Sequence, residues 1–174
     1  MLLWRSPRWQ SHSRAPSGTP SGGISCRLRR APRWRGDDVT KDAATGDTFT
    51  LTGSGDAEPA EADATGGGTI VHHFANGRPD STGVYVVTGF HSWQPGGGQL
   101  PIADGIGHVS EASAGVLRMA IRIFRASGSF SDATLTVNCH LPGATVDVDE
   151  GIELSVGAFN AKQNGGFTLF HVQK

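Results

Sequence analysis

The chain is short of the residues that cross-link a fold or advertise reactive chemistry. It holds two cysteines, two methionines and one tyrosine in 174 residues. Cys26 falls in an arginine-rich leader and Cys139 in a strand-like stretch, which excludes a cysteine-dense secreted scaffold. No apolar run approaches the roughly 18–20 residues of a membrane-spanning helix. Met1-Leu2-Leu3-Trp4 gives way at once to arginine and proline, so the apolar stretch of a secretory signal is missing. The expectation is a cytoplasmic protein with no membrane partner.

Catalytic signatures are missing as well. There is no G-x-S-x-G elbow, and Gly96-Gly97-Gly98 lacks the Lys-Ser/Thr that a phosphate cradle needs. Cys139 and His140 are consecutive, so on a strand their side chains leave opposite faces and the imidazole does not activate the thiol. Cys139 reads instead as a core thiol. The acidic run Asp147–Glu150 fails the EF-hand pattern, since position 12 counted from Asp147 is Ala158. No histidine spacing matches a zinc motif, so no metal site and no cofactor are expected.

What the chain has in plenty is glycine, 25 residues, roughly twice the usual share, against a hydrophobic content of 37%. Its net charge of -1 hides an asymmetry. Met1–Gly36 carries eight arginines and no acid; Asp37–Ala64 carries eight acids and one base; the remainder is nearly balanced. The first 46 residues therefore read as a basic and then acidic leader, disordered because so little apolar surface cannot offset the entropy of ordering. Trp4, Trp9 and Trp34 beside arginines fit a nucleic-acid arm, and the same composition fits a targeting peptide. The preferred reading is a stretch that the native start, near Val39, leaves out. Nucleic acid is a partner only if the leader belongs to the protein.

From residue 47 to 174 the pattern is all-β. Thr48–Thr52, Thr69–Phe74, Ser81–Phe90, Gly115–Arg125, Asp132–Leu141, Gly151–Phe159 and Phe167–Val172 alternate apolar and polar residues and are separated by glycine-rich turns such as Asn76-Gly77. Leu117, Met119, Ile121 and Ile123 share one face of the fourth segment, a period of two rather than 3.6. Glu58–Gly68 and His91–Gly107 read as loops. About seven strands in an antiparallel meander hide their faces by closing into a small barrel, with a β-sandwich as the alternative. The rhythm is generically similar to small bacterial all-β proteins, a likeness that carries no site residue.

Five residues are candidate ligand contacts. His72 shares a strand face with Ile70 and Phe74, His171 one with Phe167 and Leu169, and His91 follows Tyr85 and Val87. On one barrel interior these imidazoles and Tyr85 would converge. Trp93 in the expected long loop is either a binding anchor or a plug at one end of the core. Arg118, Arg122 and Arg125 form a small basic stripe. The function expected is a non-enzymatic module that binds a small apolar molecule or a partner. The alternatives are a barrel enzyme of isomerase or cyclase type using interior His and Tyr, and a structural module that pairs with a second copy through outer residues such as Val116 and Phe124.

Overall fold

The computed structural model describes residues 24–28, 38–102 and 108–172. Ten strands follow in chain order: β1 (Ile24–Leu28), β2 (Asp38–Asp42), β3 (Thr48–Glu58), β4 (Asp63–His73), β5 (Pro79–Gly97), β6 (Ala112–Arg125), β7 (Phe130–Cys139), β8 (Gly151–Val156), β9 (Phe159–Gln163) and β10 (Thr168–Val172). Among the described residues the one helical element is the 3-10 turn Val109–Glu111, and no helix is long and apolar enough to cross a membrane.

Strands β2 to β9 each pair antiparallel with the next, and β9 pairs back onto β2. The result is a barrel-like ring of hydrogen bonds in up-and-down order, the closed meander expected from the sequence. The seam matches Thr40 with Gln163, Lys41 with Lys162 and Asp42 with Ala161. A second closure shares two of the same strands. β1 pairs with the far half of β3 (Ile24 to Ala57, Arg27 to Ser54) and with all of β10. β10 in turn pairs with the start of β6 through Phe170 and His171. The mouth of the ring is thus closed by β2, β9, β8 and β7, and its base by β1 and β10.

The interior follows from alternation. Leu117, Met119, Ile121 and Ile123 of β6 are buried, as are Leu135, Val137 and Cys139 of β7, Ile152 and Leu154 of β8, and Leu51 and Ile70 of β3 and β4. Each is the inward member of its pleat.

The ring gains its closure from strands that the sequence pattern hid. The expected boundary at residue 47 is too late, because β2 lies ahead of it and β1 earlier still, inside the expected leader. β2 escapes hydropathy because its buried positions are Asp38, Thr40 and Asp42. Asp42 is held by backbone N–H groups: its Oδ1 accepts from Ala44 and Thr45 and its Oδ2 from Asn160. Those bonds hold its carboxyl below the usual carboxylate range. The remaining leader positions, with Trp4, Trp9 and Trp34, lie outside the described residues.

Parts of the two expected loops are strand as well. β3 and β4 continue to Glu58 and start at Asp63. β5 runs through the expected His91 loop to Gly97, with register breaks that leave Thr88, His91 and Gly96 as bulged residues. The expected sixth strand is two, β8 and β9, parted at Gly157, whose φ of 57° is left-handed.

Glycine does one further job. Gly68 lies between Gly53 of β3 and Tyr85 of β5, and a Cβ on Gly68 would overlap the Thr52 carbonyl oxygen. A Cβ on Gly53 would strike the Tyr85 hydroxyl. The absent side chains let the strands close tightly on the single tyrosine. Gly68→Ala is expected to destabilise the fold by about 2 kcal/mol or more, as overpacking of a closed core does. Urea denaturation followed by circular dichroism measures it, and an unchanged midpoint would refute the close approach.

Candidate functional site

At the mouth the ring is hollow. A cavity of about 320 Å³ is lined by Phe49, Ile70 and His72 from β3 and β4, by Ser81 and Gly83 of β5, and by Ile123, Arg125, Ser131, Val156 and Phe159. Deeper in, between Tyr85, Leu117, Met119, Leu135 and Val137, the free space shrinks to about 20 Å³, room for about one water. An open groove of about 280 Å³ continues outward along Pro79–Thr82 and Arg125–Ser127.

His72 is the organised side chain of this mouth. It faces inward on β4, in register with Phe49. Its ring stacks on Phe49 at 4.6 Å and meets the edge of Phe159 at 5.4 Å. Nε2 lies 2.9 Å from Asp47 Oδ2, and Nδ1 lies 3.0 Å from Asp80 Oδ2. Asp47 is fixed in turn by the Ala75 backbone N–H on Oδ1. Asp47 follows the β2–β3 turn and Asp80 opens β5, so two turns deliver the carboxylates to one imidazole. A ring with hydrogen on both nitrogens donates to both.

Arg125 stands across the cavity. Its Nη1 donates to Ser131 Oγ at 2.9 Å, and no carboxylate pairs with it among the described residues. The expected stripe of Arg118, Arg122 and Arg125 is therefore not one surface. Arg122 faces outward, bidentate on Asp132 at 2.7 and 3.1 Å, while Arg125 follows Ile123 in the inward parity and lines the mouth.

The remaining candidates do not join His72. Tyr85 is buried in the packed middle. His91 is an exposed bulge residue of β5. Trp93 faces the core at the base, opposite Leu117, with its ring edge-on to Phe170 at 4.7 Å. Its ring is half-buried and packs against the core there. His171 lies on the opposite face of β10 from Phe170, its Nδ1 3.8 Å from Glu111 Oε2. His72 and His171 sit at opposite ends of β6, beside Ile123 and Ala112. The expected convergence of imidazoles fails because β10 closes the base rather than the mouth. Among the described residues no group of three or more His, Cys, Asp or Glu is placed to hold a metal ion.

Cys139 is buried, its thiol pushed up to about 12 by desolvation and by the nearby Glu150 carboxylate. Glu150, expected in a solvated turn, reaches inward. It accepts hydrogen bonds from the backbone N–H groups of His140 and Thr168 and from Thr168 Oγ1, tying β10 to the ends of β7 and β8. Burial raises its own pKa against those bonds. The signal was parity: Glu150 is two positions before Ile152 and so falls in step with the buried Ile152, Leu154 and Val156. In a Cys26→Ser variant, Cys139 is expected to react with Ellman's reagent at pH 8 only as fast as the protein unfolds. Rapid labelling of the folded protein would contradict a sealed thiol.

Compared with known proteins, the chain matches no family model, and no curated protein or solved structure is similar to it at a significant level.

Proposed function

We propose that the chain is a binding module that takes a small molecule into the mouth of the ring. The observation that carries this reading is the contrast between the 320 Å³ mouth and the 20 Å³ void beneath it. A volume of that size matches small-molecule sites, which are mostly apolar with a few convergent polar groups. Phe49, Ile70, Ile123, Val156 and Phe159 supply the apolar wall. His72, Ser81, Arg125 and Ser131 supply the polar groups.

The enzyme alternative has less support. A general base needs a free lone pair aimed at substrate, and both His72 nitrogens face carboxylates. Tyr85 borders the small deep void and does not line the mouth. The carboxylates give His72 a fixed orientation as a wall of the site, which is what a binding role asks of it.

Ala158 is exposed on the β8–β9 turn and lines the mouth, so Ala158→Trp fills the cavity with little strain on the core. N-phenyl-1-naphthylamine, a neutral apolar fluorophore, is expected to bind one molecule per chain. The variant is expected to weaken it at least about tenfold, a loss of ~1.4 kcal/mol. Fluorescence titration of folded wild type and variant measures this; absent binding, or binding indifferent to Ala158→Trp, counts against the reading.

A second reading, pairing with another copy, rests on the outer face. Val84, Phe124 and Phe130 stand in register across β5, β6 and β7 and are 51%, 41% and 58% exposed. An apolar row rimmed by charge is characteristic of a contact surface. The rim, Arg122 with Asp132, carries both signs, so a two-fold related copy presents the complement of each. Phe130→Asp is expected to convert a dimer to a monomer in sedimentation velocity while leaving fluorophore binding unchanged. A monomeric wild type would dispose of this reading.

A further inference from the structure

We infer that the ligand of the mouth is a small amphipathic anion, with an apolar body inside the ring and a carboxylate or similar acidic head on Arg125. This rests on the mouth being a binding site and adds the chemical class of what enters it. The cavity and the outer groove share Asp80, Ser81, Thr82 and Arg125, so these residues mark the passage from apolar interior to water. The head of an amphipathic ligand stops at such a boundary.

Two charged groups of opposite sign line that boundary, and they differ in what is left to offer. Asp80 is already engaged by His72 Nδ1, and its side chain is 40% exposed, so water screens it. Asp47, behind it, is taken by His72 Nε2 and by the Ala75 N–H. The acidic side of the mouth is thus occupied by a cationic or hydrogen-bonding partner from the protein itself. Arg125 gives one N–H to a neutral hydroxyl, Ser131 Oγ, and keeps its remaining donors without a carboxylate among the described residues. A guanidinium presents paired N–H groups that fit a carboxylate two at a time. Ser131 steadies the side chain without cancelling its charge, and Ser81 and Thr82 line the same boundary. The apolar wall ends at this point: Ile123, the last buried residue of β6, is two positions before Arg125.

The test is displacement of N-phenyl-1-naphthylamine by octanoate, 1-octanol and octylammonium, which share a chain and differ in head charge. Octanoate is expected to displace at the lowest concentration and octylammonium at the highest. Arg125→Gln is expected to raise the octanoate concentration needed by ~10-fold to ~100-fold, the worth of a charge-assisted contact, and to leave octanol unchanged. Arg125→Lys, which keeps the charge and loses the fork, is expected to fall between. The inference is overturned if octanol matches octanoate, if octylammonium is preferred, or if Arg125→Gln weakens all alike. Should the fluorophore itself fail to bind folded wild type, the mouth is not a site, and this inference goes with it.

Discussion

Everything in this molecule depends on the hydrogen bonds between β2 and β9. A meander of eight antiparallel strands has two edges, each a row of unpaired N–H and C=O groups. Joining Thr40 to Gln163 and Asp42 to Ala161 abolishes both at the mouth. Closure also decides where space remains, because inward side chains of all eight strands must share one interior. In the middle that interior is filled by Leu, Ile, Val, Met and one tyrosine pressed against glycines. At the mouth, His72, Phe49 and Phe159 stand around the rim, and the centre stays open.

The base is built differently. There β1 and β10 span from β3 to β6, and Phe170 with Trp93 seals the end. Glu150 and Thr168 fix β10 to β7, with Thr168 Oγ1 also bonded to the Asn138 carbonyl. One end is therefore closed by packed rings and buried bonds, and the other ends in polar groups around a hollow. This polarity agrees with the proposal that recognition takes place at the mouth. It also separates His72 from His171, which alternation alone would have put on one surface.

The sequence carried the fold class in its regular strands. From Leu117 to Ile123 of β6, and at Leu135, Val137 and Cys139 of β7, apolar inward residues recur at every second position, so these faces were legible residue by residue. It failed where a different force holds the chain. β2 is buried through polar residues: Asp42 is held by the backbone N–H groups of the adjoining turn and by that of Asn160, far along the chain, and no hydropathy pattern records that. β5 is bulged at Thr88, His91 and Gly96, so its alternation slips at each, and from His91 onward it reads as loop. At the site, His72 was legible from its neighbours Ile70 and Phe74. Its carboxylates were not, because Asp47 and Asp80 lie beside turns, and only closure brings them to one ring. Arg125 was visible and misread: its odd parity with Ile123 was the signal that set it apart from Arg118 and Arg122.

The seam has a consequence for how the chain reaches this state. Residues 40 and 163 meet across almost the whole length of the described sequence, and pairings so distant in sequence form slowly because loop entropy is lost before contacts compensate. A chain emerging from the ribosome carries both open edges until nearly its last strand has been made. Lys41 and Lys162 sit opposite one another on those two edges, both exposed. Before closure each lysine discourages a foreign strand from docking, since edge lysines repel their counterparts on other copies. After closure Lys162 finds Glu153 at 2.7 Å. The same cation thus guards the nascent polypeptide against misassembly and then settles into the finished wall.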